Sequence, residues 1–242
     1  MLVTLKAASL LLSYPSEELQ AAVDDIRDAV GGERLARPAA LTAIEPLLAE
    51  LRQGDLYDLQ ERYVALFDRS RTLSLNLFEH VHGESRDRGG AMVDLLGTYR
   101  AAGFEPSTGE LPDHLPALLE FLATQPLDEA VAILADAAHI LSAVEVRLER
   151  RGSAYAGVFQ LLLDVVSAEK RQLGAEQREL LDALLTEEDE DPNDLERLDA
   201  AWAETEVVFG PDPNAGCPAA RDMLGRMSAP LNAPSEPARA AK

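Results

Sequence analysis

Apolar residues recur at intervals of three and four along this chain, and that helical spacing constrains the fold more than any other feature. Leu56, Leu59, Tyr63 and Leu66 form one such stripe. We find no segment that alternates apolar and polar residues in the manner of a half-buried strand. Ala and Leu dominate the apolar positions and aromatic residues make up only 5% of the 242 residues, which favours helices over strands. The pattern therefore predicts an all-α, single-domain helical bundle.

Prolines and capping residues set the predicted helix ends in the first part of the chain. Pro15 ends the first helix, and Ser16 is a suitable N-cap for the second. A third helix is predicted over residues 38–53, where Pro46 is expected to cause a kink or break. Asp55 is a suitable N-cap for the fourth.

Two irregular stretches, 69–83 and 104–114, interrupt the later helices and are predicted to be loops or short turns. Asp113 is predicted to cap the helix that follows the second stretch. Segment 128–150 carries two overlapping apolar stripes, so we expect one long helix there, at the centre of the bundle. His139 on this helix is expected to be hydrogen-bonded or solvated. Further helices are predicted over 84–102, 153–169 and 177–185.

The composition changes after residue 186, and this change sets the predicted domain boundaries. Residues 1–186 are expected to form the helical domain. Residues 187–209 begin with five consecutive acidic residues and are expected to form a flexible acidic linker with one short helix. Residues 210–242 are rich in Pro, Ala and Gly, which predicts a disordered tail.

The charge and the cysteine content exclude several classes of protein. Because 43 acidic residues face 22 basic ones, the formal net charge is -21, which disfavours binding to nucleic acid or to an anionic membrane and favours a basic partner. The lone Cys217 excludes an intramolecular disulfide and a cysteine metal cage. No stretch approaches the roughly 20 apolar residues of a membrane span, and residues 1–13 do not fit a signal peptide. We therefore expect a cytoplasmic protein.

The most informative part of the sequence is segment 63–88. It mixes apolar and charged residues, includes the stretch 69–83 that lacks helical spacing, and contains His80 and His82. A third histidine, His114, lies in the proline-rich turn 111–116. Apolar groups among mixed charges, held on irregular chain between helices, suit the wall of a binding groove.

These residues carry a resemblance to a known family. Segment 63–88 and several other strings closely resemble the NarJ-type nitrate reductase assembly chaperones, which belong to the TorD-like group of redox-enzyme maturation proteins. The resemblance spans roughly residues 5–209 and rests on long ordered strings rather than isolated residues. The other strings are Ala8-Ser-Leu-Leu-Leu-Ser-Tyr-Pro15, Gly90-Ala-Met-Val-Asp-Leu-Leu96, 110–122 and Leu198-Asp-Ala-Ala-Trp202.

The resemblance implies an all-helical fold and a single client, the catalytic (alpha) subunit of a membrane-bound nitrate reductase. Such chaperones bind the N-terminal segment of that subunit, which is similar to a remnant twin-arginine signal peptide. They hold the subunit competent for molybdenum cofactor insertion before membrane assembly, and they are not part of the finished enzyme.

A client helix would lay its apolar face in a groove, and its basic residues would meet acidic ones on the chaperone. Protonation of the histidines is a further means of tuning affinity near neutral pH. The candidate partner-binding residues are Asp68, Arg69, Leu77, Phe78, Glu79, His80, His82, Glu84, Arg86, Asp113, His114 and Leu115.

Two alternative functions remain open. One is a small metal-dependent hydrolase that uses His80, His82 and His114 with Glu84, although two histidines two residues apart are a weak metal signal. The other is a chaperone of the same group for a dimethyl sulfoxide or N-oxide reductase. Because we find no Gly-x-Ser-x-Gly elbow around Ser85 and no phosphate-binding loop, we expect no enzyme, no catalytic residue and no metal site.

The remaining expectations concern cofactors and partners. We expect no stably bound cofactor, and a transient contact with the molybdenum cofactor machinery and its biosynthesis proteins stays open. Neither nucleic acid nor membrane insertion is expected. A monomer and a weak dimer are both compatible with the sequence.

Overall fold

A computed structural model describes residues 1–82, 86–106, 109–168 and 173–186, apart from the side chains of His82 and Arg86. Within these ranges the chain forms eleven α-helices and no β-strand, so the all-α prediction is confirmed. All the described residues belong to one compact unit. The predicted acidic linker and tail lie outside the described residues, as do Trp202 and Cys217. The helices are α1 Val3–Leu11, α2 Glu17–Glu33, α3 Pro38–Gln53, α4 Leu56–Tyr63, α5 Leu77–His82, α6 Arg86–Ala101, α7 Leu115–Leu122, α8 Leu127–Asp136, α9 Ala138–Arg150, α10 Ala156–Ala168 and α11 Ala175–Thr186.

Two shorter turns complete the described secondary structure. Val64–Asp68 continues α4 as a π-helical turn, and Arg71–Leu73 forms a 3₁₀ turn. Neither these turns nor any α-helix of the described ranges is long and apolar enough to cross a membrane.

The central helix of the bundle is α10. It packs against α9, α3, α8 and α1, and it is apolar on nearly every side. A helix that is buried all round needs such a sequence, since each face must leave water. Its buried apolar residues are Val158, Phe159, Leu161, Leu162, Val165 and Val166.

The prediction of one long central helix over residues 128–150 is wrong. The segment forms α8 and α9, which are separated at Ala137, where φ is -87° and ψ is -1°. The two helices have different neighbours, because α9 packs on α10 and α11 whereas α8 packs mainly on α10. When two such helices are treated as one, their separate buried positions combine into a single wide apolar face.

The predicted caps Ser16 and Asp55 agree with the structure. The Leu19 amide donates to the Ser16 hydroxyl (3.2 Å), and the Tyr57 amide donates to the Asp55 carboxylate (2.9 Å). Helix α3 continues through Pro46 without the predicted break. Pro46 and Thr42 both lie on the exposed side of α3, so water can satisfy the Thr42 carbonyl whose helical donor Pro46 lacks.

The start of α3 is held by a buried acid on α10. Asp164, 6% exposed, accepts a hydrogen bond from the Arg37 backbone amide (2.7 Å) and pairs with the Arg37 guanidinium. This amide is one of those that a helix N-terminus leaves without an internal partner. Asp164 therefore fixes the end of α3 on α10.

Gly157 allows a close backbone contact between α10 and α3. A Cβ at this position would lie 2.0 Å from the Ala43 carbonyl oxygen and 3.1 Å from the Ile44 amide nitrogen. Both atoms belong to the backbone of α3, which cannot move aside as a flexible side chain could. The α3–α10 spacing therefore requires glycine at residue 157.

We predict that Gly157→Ala destabilises the protein by about 3 kcal/mol or more, because α3 and α10 must separate to admit the methyl group. Equilibrium urea unfolding followed by far-UV circular dichroism measures the change. Gly97→Ala is the matched control, since a Cβ at Gly97 in α6 has no neighbour within 4 Å and alanine has the higher helix propensity. Equal stability of the two variants would contradict the close α3–α10 contact.

Candidate functional site

The two irregular segments predicted to line a groove are brought together by backbone hydrogen bonds. Asn76 and His114 form an isolated antiparallel bridge. The Leu77 amide donates to the Asp113 carbonyl (3.1 Å), and the Leu115 amide donates to the Leu75 carbonyl (2.8 Å). We call this connection between residues 75–77 and 113–115 the Asp113 joint.

The prediction that residues 69–83 lack helix is wrong for α5. The first turn of a helix needs acceptors for its free amides, and here they come from a residue distant in sequence. Asp113 accepts from Leu77 through its carbonyl and from the Phe78 amide through its carboxylate (3.1 Å). Asp113 thus caps α5 and not α7. The N-cap position of α7 is His114, whose side chain makes no capping bond.

Asp113 is fully buried and faces a cation. Its carboxylate lies 3.7 Å from the guanidinium of Arg88, which is itself mostly buried on α6. Burial of a carboxylate is costly unless its charge is compensated and hydrogen-bonded. The Phe78 amide and Arg88 provide both forms of compensation, so the joint also ties α5 to α6.

One side of the joint opens into an acidic cleft of about 480 Å³. Four carboxylates and three aromatic rings line it, on elements from α1 to α7. Glu120 pairs with Lys6, whereas no salt bridge among the described residues involves Asp68, Glu105 or Glu110. The lining includes Tyr14, Tyr63, Asp68, Phe104, Glu105, Glu110, His114 and Glu120. We call it the acidic cleft.

The charges in the acidic cleft perturb one another. Burial raises the pKa of Asp68, the nearby Glu110 raises it further, and His114 lowers it. Burial lowers the pKa of His114, against the opposing effect of Glu110, Asp113 and Asp68. An incoming cation would stabilise the ionised carboxylates without requiring His114 to be protonated.

A small polar pocket adjoins the cleft and contains two further candidate residues, Arg69 and Glu79. Glu79 accepts a hydrogen bond from the Ser74 hydroxyl, and His80 Nε2 lies 2.8 Å from the Ser74 carbonyl oxygen. Asp68 lines both this pocket and the acidic cleft. Asp68, Arg69 and Glu79 therefore line the same polar pocket.

The remaining candidate residues differ in where the structure places them. Leu77 and Leu115 are core residues, 6% and 1% exposed, so their side chains offer little surface to a partner and we correct their assignment. Phe78 is half-buried in the wall of an apolar pocket on the other side of the joint. Glu84 and the side chains of His82 and Arg86 lie outside the described residues.

The described residues give the hydrolase alternative no metal centre. In the ranges that the structure covers, no group of three or more His, Cys, Asp or Glu side chains is placed to hold a metal ion. His80 contacts a backbone carbonyl, whereas His114 lines the acidic cleft. The two histidines thus have separate surroundings.

Sequence reasoning missed several lining residues. Tyr14, 51% exposed, lies between α1 and α2, three residues beyond the last residue of α1; the adjacent Pro15, which indicates a helix boundary, was the available signal. His139 is buried, so it is not solvated, which was one of our two expectations for it; it lines the apolar pocket close to the Asp136 backbone carbonyl. Most of the pocket wall comes from other helices, so spacing along this segment alone could not have indicated the pocket.

Comparison with known proteins identifies the family. A family model described as nitrate reductase delta subunit matches residues 16–160. The nitrate reductase molybdenum cofactor assembly chaperone NarJ of Escherichia coli (strain K12) is 39% identical over 215 residues, which cover 89% of this chain and 88% of that protein. This chain belongs to the NarJ family.

Two further NarJ-family relatives agree. The probable nitrate reductase molybdenum cofactor assembly chaperone NarW of the same strain is 35% identical, over 88% of this chain and 86% of the relative. The probable chaperone NarJ of Bacillus subtilis (strain 168) is 32% identical, over 66% of this chain and 86% of the relative. These NarJ-family proteins are named as assembly chaperones, not as catalysts, which agrees with the expectation that the chain is not an enzyme.

We predict that Asp113→Ala destabilises the fold by about 2–4 kcal/mol, because α5 loses its cap and the guanidinium of Arg88 loses its carboxylate. Asp113→Asn keeps an oxygen acceptor and should lose less. Urea unfolding gives the stabilities, and hydrogen exchange at the Phe78 amide reports the cap. Protection of that amide should fall in the alanine variant and persist in the asparagine variant. Unchanged protection in both would contradict the capping role.

We also predict that His114 makes the protein less stable on mild acidification. Because burial lowers its pKa, the unfolded chain takes up a proton below about pH 6.5 that the folded chain does not. Stability should therefore fall from about pH 7.5 to about pH 5.5, and His114→Gln should reduce that fall. Urea unfolding at each pH tests this. Parallel stability curves for the two proteins would contradict it.

Proposed function

We propose that this chain is a cytoplasmic, system-specific chaperone that binds the N-terminal segment of the catalytic (alpha) subunit of a respiratory nitrate reductase. On this proposal it holds that subunit competent for molybdenum cofactor insertion and leaves before the complex assembles at the membrane. The names of the NarJ-family relatives support the role in nitrate reductase maturation.

The acidic cleft is the observation that carries the proposal. It places Asp68 and Glu110 beside the rings of Tyr14 and Phe104. Carboxylates that lack a cationic partner attract basic side chains, and exposed rings accept apolar ones. A basic amphipathic segment of a client combines both properties, so it matches the cleft better than an acidic or purely polar one.

Long-range charge supports the same partner. The net charge of -21 would accelerate encounter with a basic segment, while the contacts in the cleft would set how long it stays. Arg69 and Glu79, in the adjoining polar pocket, would then contact the less basic flank of the client. The chain would thus use charge for encounter and local contacts for residence.

The alternatives receive less support. The relatives named for nitrate reductase favour that client over a dimethyl sulfoxide or N-oxide reductase. The separate surroundings of His80 and His114 do not favour a hydrolase. The proposal includes a transient contact with the molybdenum cofactor biosynthesis proteins. It is compatible with a chain that acts as a monomer or as a weak dimer.

We predict that Asp68→Lys with Glu110→Lys weakens binding of the client's N-terminal peptide by roughly tenfold, because two favourable charge contacts become repulsive. Isothermal titration calorimetry with the synthetic peptide measures the affinity, and circular dichroism checks that the helix content is unchanged. The control, Glu176→Lys with Glu179→Lys on α11, makes the same change in net charge away from the cleft.

The control separates local contacts from overall charge. Equal weakening in both double variants would mean that the cleft is not the binding site. No binding of the peptide to the unaltered chain, at any accessible salt concentration, would overturn the proposed function itself.

A further inference from the structure

Buried polar atoms without hydrogen bonds concentrate around the Asp113 joint. Among the described residues, six buried side-chain nitrogen or oxygen atoms have no hydrogen-bond partner. Four of them belong to residues of the joint or its immediate surroundings: Asn76 Oδ1, Arg88 Nε, Asp113 Oδ1 and His139 Nδ1. Such atoms are rare in folded proteins because each costs free energy. A polar group of a bound ligand would satisfy some of these atoms.

Two of these residues line the apolar pocket that Phe78 helps to form. Asp113 is 0% exposed and His139 is 8% exposed, and both contribute to the pocket wall. Apart from Asp136, the rest of the wall is apolar, and it comes from α5, α6, α7, α8 and α9. Its residues are Leu77, Phe78, Val81, Leu95, Leu118, Ile133, Ala137 and Ile140, with Asp136 also contributing. We call it the Asp113–His139 pocket.

The size and walls of the pocket suit one aromatic side chain. Its volume is about 240 Å³. An engineered apolar cavity of roughly 150 Å³ is large enough to bind benzene. The pocket thus has room for a phenol or indole ring, and its aliphatic wall would contact both ring faces.

The charges that face the pocket select a neutral ligand. Arg88, 3.7 Å from Oδ2 of Asp113, already compensates that carboxylate, which therefore gains little from a second cation; Asp136 is exposed, so solvent screens its charge. An anion would be repelled by Asp113 and by Asp136. The imidazole of His139 adds no charge at neutral pH, because burial lowers its pKa against the weaker opposing effect of the Asp136 carbonyl. What remains is a neutral group that can donate a hydrogen bond to Asp113 Oδ1.

We propose that the Asp113–His139 pocket takes a tyrosine or tryptophan side chain of the client, whose O–H or N–H donates to Asp113. The identity of the client rests on the proposed function, whereas the chemistry of the ring does not. A phenol oxygen can also accept a hydrogen bond from Nδ1 of His139, which an indole cannot. Phenylalanine would leave the buried carboxylate oxygen unsatisfied and is discriminated against for that reason.

The first test uses small probes and no client. p-Cresol and toluene represent the side chains of tyrosine and phenylalanine, and two-dimensional NMR of the full chain follows their binding. p-Cresol should bind roughly tenfold more tightly than toluene, since a hydrogen bond to a charged group is worth that factor. Its chemical-shift changes should fall on α5, α6, α8 and α9. Equal affinities, or shifts elsewhere, would overturn the assignment.

A matched pair of variants on α6 tests the location. Leu95 lines the pocket, whereas Val93 is 71% exposed and does not. Leu95→Phe should abolish p-cresol binding by filling the pocket, and Val93→Phe should leave it unchanged. Binding that survives Leu95→Phe would overturn the site. Trp202 is the only tryptophan in the sequence. A red shift of its fluorescence emission on adding p-cresol would show that p-cresol displaces the Trp202 ring from the pocket, and this result would overturn the client assignment.

The second test brings in the apo catalytic subunit. Leu95→Phe should weaken its binding several-fold relative to Val93→Phe. If the subunit binds both variants equally, the pocket does not take a client side chain, although the proposed function stands. A different result is that the subunit binds neither the variants nor the unaltered chain, while p-cresol still binds in the Asp113–His139 pocket. In that case the proposed function fails, and the client assignment fails with it.

Discussion

The placement of the candidate surfaces depends on one buried carboxylate. Asp113 caps α5 through Phe78 and lies 3.7 Å from Arg88 on α6. Its own carbonyl accepts from the Leu77 amide, and two residues later the Leu115 amide donates to the Leu75 carbonyl. A helix of six residues such as α5 is too short to be stable by itself in water. The acceptors that Asp113 supplies therefore determine whether this part of the chain is helical at all.

The joint also explains why the candidate surface has two sides of different character. Asp113 and His114 are neighbours, yet Asp113 lines the apolar pocket and His114 lines the acidic cleft. On the cleft side no salt bridge among the described residues involves Asp68 or Glu110, while on the pocket side Arg88 compensates Asp113. The first arrangement favours basic side chains and the second favours neutral ones. Under the proposed function, one short segment would present two kinds of selectivity to a single extended partner.

The local structure could be predicted from the sequence where the stabilising groups lie close together along the chain. The caps Ser16 and Asp55 act on amides two or three residues away, so local patterns predicted them correctly. Helix α5 could not be predicted in this way, because its cap lies 35 residues further along the chain. The division of α8 from α9 at Ala137 was missed for a similar reason, since different packing partners, and no proline or glycine, separate the two helices. Candidate residues were found where charge and irregular chain coincided, as at Asp68 and Glu79, but the aromatic and aliphatic walls come from remote helices.

A binding surface of this kind must hold a partner and also release it, and the attachment of α6 is suited to that. Its only fully buried side chain among the described residues is Tyr99, at the far end of the helix from Arg88. Leu95 and Leu96 are only partly buried against the core. Regions with few buried apolar contacts open locally at lower free energy than the core does. Helix α6 forms one wall of the Asp113–His139 pocket, so a ring bound there would add the apolar contacts that α6 lacks. The free energy of binding would then stabilise α6 against local opening.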